Sequence, residues 1–211
     1  MVHSIAKISI FPLIRGLFIK KVNGIENIPK GEGFIAAANH CSYLDHYLIS
    51  CILVPHLNKK VHYLAKKEHF DSLHQRLWHK WVGAIPIDRQ KGGKEALRMA
   101  VAYLRKGKVI GIYPEGTRSL DGKLQRGKTG VARLALAAKV PVVPIGIIGS
   151  FEILPKGRYM PSAGKAVINI GKPMLFEAYY GKENDYKGLR TVTKCIMKEI
   201  AKLSHQAYRF D

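Results

Sequence analysis

His40 and Asp45 stand five positions apart in the stretch Ala38-Asn39-His40-Cys41-Ser42-Tyr43-Leu44-Asp45-His46, and their types suit a general base and the carboxylate that orients it. A neutral imidazole accepts protons near pH 7, and an acidic partner on its second nitrogen fixes the tautomer. Five residues turn an ideal helix through about 140°, so the two side chains meet only where the stretch spans a loop and a helix start. The flanking pattern predicts that junction. Gly33 opens the apolar run Phe34-Ile35-Ala36-Ala37-Ala38, which has the length of a buried strand, and Leu44 to Val54 is an apolar run of helical length. His40 then falls on the turn, and Asp45 in a first helical turn, where the helix dipole favours a carboxylate. Chance is the competing explanation, because nine histidines and fifteen acidic residues will place some pairs together as caps or surface neighbours. Cys41 beside His40 raises a thiol nucleophile, although adjacent side chains point apart and free cysteine is more often a small apolar filler.

A second polar cluster follows a second apolar run. Val109 to Tyr113 has a buried-strand pattern and leads into Pro114-Glu115-Gly116-Thr117-Arg118-Ser119, at a strand end where open α/β sheets collect ligands. Thr117, Arg118 and Ser119 can together match phosphate oxygens, whereas a plain loop closed by a Glu115–Arg118 salt bridge accounts equally for the types. The string Gly122 to Thr129 has the spacing of a phosphate-binding P-loop. No strand runs into Gly122 and no acidic partner strand is evident, so a nucleotide site is disfavoured.

Around these clusters the pattern alternates. Strands are expected over 20–28, 61–65, 140–149 and 165–170. Helices are expected over 66–81, with an apolar and aromatic face of Phe70, Leu73, Leu77, Trp78 and Trp81, and over 94–105, 131–138 and 189–207. The apolar run Gly83 to Ile87 ends in the charged pair Asp88-Arg89. The expected fold is a single α/β domain, a mixed central sheet flanked by helices.

Length and charge bound the rest. The 211 residues suffice for one well-buried core, and 35 Lys and Arg against 15 acidic residues give a net charge of +20. Such a surface suits nucleic acid, an anionic membrane or anionic small substrates. The cations are scattered with no basic repeat or recognisable module, which argues against nucleic acid. Cys41, Cys51 and Cys195 have no paired spacing, so neither a disulfide framework nor a metal site is expected, and a reducing cytoplasm is the natural setting. Residues 4–19 form an apolar segment interrupted by Lys7, Pro12, Arg15 and Gly16, shorter than the about 20 residues a membrane span needs. Two expectations stand for it, an interfacial membrane helix or an N-terminal helix packed on its own domain. The expected division is an N-terminal segment over 1–22 and a catalytic domain over 23–211.

Taken together, four blocks resemble those of the glycerolipid acyltransferase family that includes the 1-acyl-glycerol-3-phosphate (lysophosphatidate) acyltransferases. Asn39 to Asp45 resembles the first block with its His-x4-Asp core, and Gly83 to Arg89 the second. Tyr113 to Ser119 resembles the third, with Tyr113 where the family often has Phe, and Val140 to Ile145 the fourth. Lys128 and Gly130 match the family's Lys-x-Gly pattern, which replaces the P-loop reading. The resemblance implies transfer of an acyl group from acyl-CoA or acyl carrier protein to the hydroxyl of lysophosphatidate, at an anionic membrane surface and without a cofactor. It implies His40 as base and Asp45 as its partner, with Arg89, Glu115, Gly116, Thr117, Arg118 and Ser119 holding phosphate and glycerol. Glu115, being acceptor-only when ionised, is expected to orient an arginine or meet the glycerol hydroxyl. Asn39, Ser42, Lys128 and Gly130 are expected to support the site. Other acceptors of the same class, glycerol-3-phosphate or another lysophospholipid, remain alternatives.

Overall fold

The computed structural model describes residues 9–66, 83–87 and 93–210. The run at 34–38 is a strand, and its five residues, Phe34–Ala38, are fully buried. Phe34, Ala36 and Ala38 pack into one core and Ile35 and Ala37 into another, as the two-residue period of a strand covered on both faces requires. This strand, β2, follows β1 (Ile19–Asn23) and precedes β3 (Val61–Lys66), β4 (Ile85–Ile87), β5 (Val109–Ile112), β6 (Val142–Ile148) and β7 (Ala166–Ile170).

The seven strands form one sheet in the order β1-β7-β6-β2-β5-β3-β4. β2 pairs in parallel with both β5 and β6, and β6 pairs antiparallel with β7, so the sheet is mixed as expected. Pro86 sits in β4, an edge strand, where a missing N–H costs no inner ladder bond.

Among the described residues six helices cover the sheet: α1 (Phe11–Phe18), α2 (Asp45–Leu57), α3 (Lys94–Arg105), α4 (Gly130–Ala138), the one-turn α5 (Ser150–Ile153) and α6 (Tyr186–Leu203). Apolar residues of α1 and α2 pack on one face, and those of α3, α4 and α6 on the other. The result is a three-layer α/β domain. Its middle strand, β2, ends at the carboxyl edge beside the ends of β5 and β6, so the loops after all three strands converge there.

Several boundaries differ from the sequence expectation. α6 begins at Tyr186 rather than Leu189, because the Asp185 side chain caps it, accepting from the N–H groups of Lys187 at 3.0 Å and Gly188 at 3.1 Å. α1 runs directly into β1, so a boundary after residue 22 would cut a strand of the sheet. The helix expected over 66–81 lies outside the described residues, apart from Lys66, which ends β3.

α1 lies within the N-terminal segment. Phe11, Ile14 and Phe18 pack against the core, while Ile10, Leu13 and Leu17 face outward. Among the described residues no helix is long and apolar enough to cross a membrane.

Candidate active site

Beyond Ala38 the β2 chain leaves the ladder, and the Asn39 side chain takes over its pairing with β6. Asn39 Nδ2 donates to the Ile147 carbonyl at 2.9 Å, and its Oδ1 accepts from the Ile147 N–H at 2.7 Å. The loop therefore starts from a fixed point.

His40 comes next, held by its backbone at both ends. Its N–H donates to Glu115 Oε1 at 2.7 Å, and its carbonyl accepts from the Ser119 N–H at 2.8 Å. Asp45 is the first residue of α2 and wholly buried. Its Oδ2 lies 2.8 Å from His40 Nδ1 and accepts from the N–H groups of Cys41 at 2.9 Å and Ser42 at 2.8 Å. Ser150 Oγ donates to Oδ1 at 2.6 Å.

This network decides the histidine tautomer. Two backbone N–H groups converge on Oδ2, so that oxygen acts as an acceptor, and Nδ1 carries the proton between it and the ring. Nε2 is left as the free lone pair on a side chain that retains 17% exposure. The spacing of five residues is bridged because the chain folds back over Cys41 and Ser42, whose amides bind the same carboxylate.

The neighbours of His40 are less suited to attack. Burial first, then the Asp45 charge, pushes the Cys41 thiol up to about 12, far from a thiolate at neutral pH. Ser42 is wholly buried, its Oγ donating to the Leu154 carbonyl at 2.8 Å and accepting from the Leu44 N–H at 3.1 Å. It ties α2 to the chain after α5.

Tyr113 closes one face of the base. Its ring lies 3.9 Å from that of His40 and 13° from parallel. Its hydroxyl is buried beside Tyr63 and has no well-formed hydrogen bond among the described residues.

The third block divides into interior and rim. Glu115 is buried, and its carboxylate accepts from the N–H groups of His40 and of Gln125, the latter at 2.8 Å. Both oxygens of this strand-end carboxylate serve inward-facing amides, and among the described residues it makes no ion pair with Arg118. Burial raises it to about 7 despite those donors. Ser119 is also buried, and its hydroxyl donates to Asp121 Oδ1 at 2.9 Å, so it closes the turn instead of offering itself to phosphate.

On the rim, the Arg118 guanidinium lies 3.7 Å over the Tyr43 ring. Thr117 is exposed. Gly116 adopts φ +74°, and a Cβ there would fall 3.0 Å from Lys128 Nζ. The lysine chain thus runs across the glycine, beside the same loop. The Lys128 N–H donates to the Pro114 carbonyl at 2.8 Å, and Gly130 opens α4 with open space around it. Gly122 to Thr129 forms irregular loop and not a strand-to-helix turn. Arg89 lies outside the described residues.

Ser150 and Tyr113 are the two contributors that residue patterns left unassigned. Ser150 directly follows the apolar run 140–149 that the fourth block opens, and its only sequence signal is that adjacency. Among the described residues no cluster of His, Cys, Asp and Glu is arranged to hold a metal.

The α/β sheet thus presents a carboxylate-bound histidine at its carboxyl edge, with an arginine and a lysine on the rim. Residues 20–148 match the family described as Acyltransferase, more than half of the chain, and the chain belongs to that family. It is 29% identical over 194 residues to the 1-acyl-sn-glycerol-3-phosphate acyltransferase of Bacillus subtilis, covering 88% of each protein. It is 27% identical over 207 residues to the enzyme of that name from Streptococcus pneumoniae, covering 93% of this chain and 74% of the relative. The chain spans about half the length of the chloroplastic relatives from Brassica napus and Arabidopsis thaliana. The crystal structure of the 1-acyl-sn-glycerophosphate acyltransferase PlsC from Thermotoga maritima superposes with a TM-score of 0.71 at 26% identity, covering 98% of this chain and 84% of that one.

Proposed function

We propose that the protein transfers a fatty acyl group from an acyl thioester, acyl-CoA or acyl-carrier protein, to the free hydroxyl of 1-acyl-glycerol-3-phosphate, giving phosphatidic acid. The observation that carries this reading is the 2.8 Å contact between His40 Nδ1 and a buried Asp45 carboxylate that also binds two backbone amides. With Nδ1 committed, Nε2 takes the acceptor's hydroxyl proton as the oxygen attacks the thioester carbonyl. Such general-base assistance contributes about 10²- to 10⁴-fold. The tetrahedral adduct then collapses, the C–S bond breaks, and the thiolate takes the proton from the imidazolium. An ester and a free thiol result, and no acyl-enzyme is needed. Asp45 stabilises the imidazolium during the step, the part played by the acid of a serine triad, with the substrate hydroxyl standing in for serine.

Arg118 and Lys128 supply the charge for the acceptor's phosphate, with Arg89 as a third cation from the second block. Arg118 is pre-set by its stack on Tyr43, and a guanidinium fork matches two phosphate oxygens. The protein acts as a peripheral or monotopic enzyme on the cytoplasmic face of the membrane, supported by its +20 charge and the outward apolar face of α1.

A thiol-release assay with acyl-CoA tests the acceptor. Release is expected to depend on lysophosphatidate and to produce phosphatidic acid; faster release with glycerol-3-phosphate would assign the other acceptor of the class.

A further inference from the structure

The chain after α5, residues 154–165, forms an exposed loop whose base is part of the candidate active site. The Tyr43 N–H donates to the Leu154 carbonyl at 3.0 Å, and Ser42 Oγ donates to the same oxygen. Ser42 also forms an isolated bridge with Pro155. The loop is closed on itself by the Ser162 N–H, which donates to the Ile153 carbonyl at 2.8 Å, and by an Arg158–Ser162 side-chain bond. At its tip stand Tyr159, 90% exposed, and Met160, 77% exposed. Two adjacent large apolar side chains are thus held in water, with little cover from the described residues.

Sheet register places the base of this loop beside the C-terminal end of α1. Ile148 at the end of β6 pairs with Val167, and Ile19 at the start of β1 pairs with Ala166. The loop therefore re-enters the sheet next to the point where α1 leaves it. Both lie at the carboxyl edge, where Ala38, two residues before His40, pairs with Ile145. Charge follows the same division: between Pro155 and Lys165 the loop carries exposed Lys156, Arg158 and Lys165 and no carboxylate.

We infer that the loop over 154–165 is a lipid-contacting element at the mouth of the active site, inserting Tyr159 and Met160 into an anionic bilayer surface while Lys156, Arg158 and Lys165 meet its headgroups. This rests on the proposed function for its purpose, since an acceptor resident in a bilayer must reach His40 across that rim. Tyrosine suits the water–lipid boundary, with an apolar ring and a polar end, and the methionine chain adapts to disordered acyl tails. Cations beside an apolar tip match anionic phospholipid. The helix face of Leu13 and Leu17 and the loop tip then provide two separate points of contact on one edge.

Co-sedimentation of the full chain with vesicles of phosphatidylglycerol and phosphatidylcholine tests the inference, comparing wild type with a Tyr159→Ser/Met160→Ser double variant. Both positions are solvent-exposed, so the fold is unaffected. The variant is expected to bind about tenfold more weakly, a modest share of the apolar burial two such side chains provide. Independently, Tyr159→Trp should gain quenching by brominated lipid beyond that of Trp78 and Trp81 in the wild type. Unchanged vesicle binding by the double variant, or no added quenching at position 159, overturns the inference. Unchanged vesicle binding with a raised KM for an acyl-carrier-protein donor overturns it in favour of a protein-docking loop. Binding is measured without acyl donor, so an inactive wild type would remove the proposed function and leave this result standing.

Discussion

Tyr113 lies flat against His40, ring centroids 3.9 Å apart and 13° from parallel, while its hydroxyl is buried beside Tyr63 without a well-formed hydrogen bond among the described residues. The ring therefore contributes and the hydroxyl does not. Tyr113→Phe is expected to keep kcat and to leave stability equal or slightly raised, because it removes an unsatisfied polar group. Tyr113→Leu should lower kcat about three- to tenfold with little change in either KM, since a stacked pair holds the base by about 0.5–1.5 kcal/mol. Steady-state kinetics of the two variants check this, and equal losses in both would show that the hydroxyl matters.

Asp45→Asn separates charge from shape. An asparagine oxygen can still accept at the position of Oδ2, and its NH₂ would face Ser150 Oγ, a hydroxyl able to turn and accept. The fold should survive with a similar melting temperature. Loss of the negative charge beside the imidazolium should lower kcat on the order of 10³-fold or more. A variant that loses activity only in proportion to unfolded protein would reduce Asp45 to a structural cap.

Glu115 gives a pH signature with a definite sign. Burial holds its carboxyl near 7, above the ordinary 4.5, so in that interval the folded protein keeps a proton the unfolded chain has released. Its contribution to stability is complete below pH 4.5 and is lost as pH rises through about 7. Glu115→Gln cannot titrate, and its baseline is lower because one amide loses its acceptor. The prediction concerns slope: between about pH 5 and 8 the wild type should lose about 3 kcal/mol relative to the variant. Urea unfolding at the two pH values measures it, and parallel curves would contradict it.

Arg118→Ala addresses the rim. Loss of a charge-assisted contact to phosphate should raise the acceptor KM about 10- to 100-fold and leave the acyl-donor KM within about twofold. Equal rises for both substrates would count against Arg118 as the acceptor's anchor.

The central geometry was legible in the sequence because it is local. A buried-strand pattern ending at Ala38 and an apolar run from Leu44 require a loop that carries His40 and a helix start that carries Asp45. Contacts made through the sheet were not legible. Ser150 reaches Asp45 across 105 residues, and Glu115 reaches the His40 amide across 75, in each case because β2 lies between β6 and β5. No periodicity in one strand specifies its neighbours. The same limit hid the burial of Ser119 and Glu115: their types suit phosphate and arginine, and no local pattern shows the contacts they make to the loop's own turn and amides. The start of α6 was within reach, since Asp185 is an N-cap residue type directly before the helix.

Thiol release from acyl-CoA with lysophosphatidate, compared between His40→Ala and Cys41→Ala, tests the base assignment most directly. His40→Ala should lose activity by about 10²- to 10⁴-fold or more while still binding acceptor, because Nε2 is the only group the mechanism asks to take the proton. Cys41→Ala should retain most of the wild-type rate, since its buried, protonated thiol takes no part in proton transfer and its polar contact is a 3.3 Å approach to Ser150 Oγ. An active His40→Ala enzyme beside an inactive Cys41→Ala enzyme would contradict the mechanism.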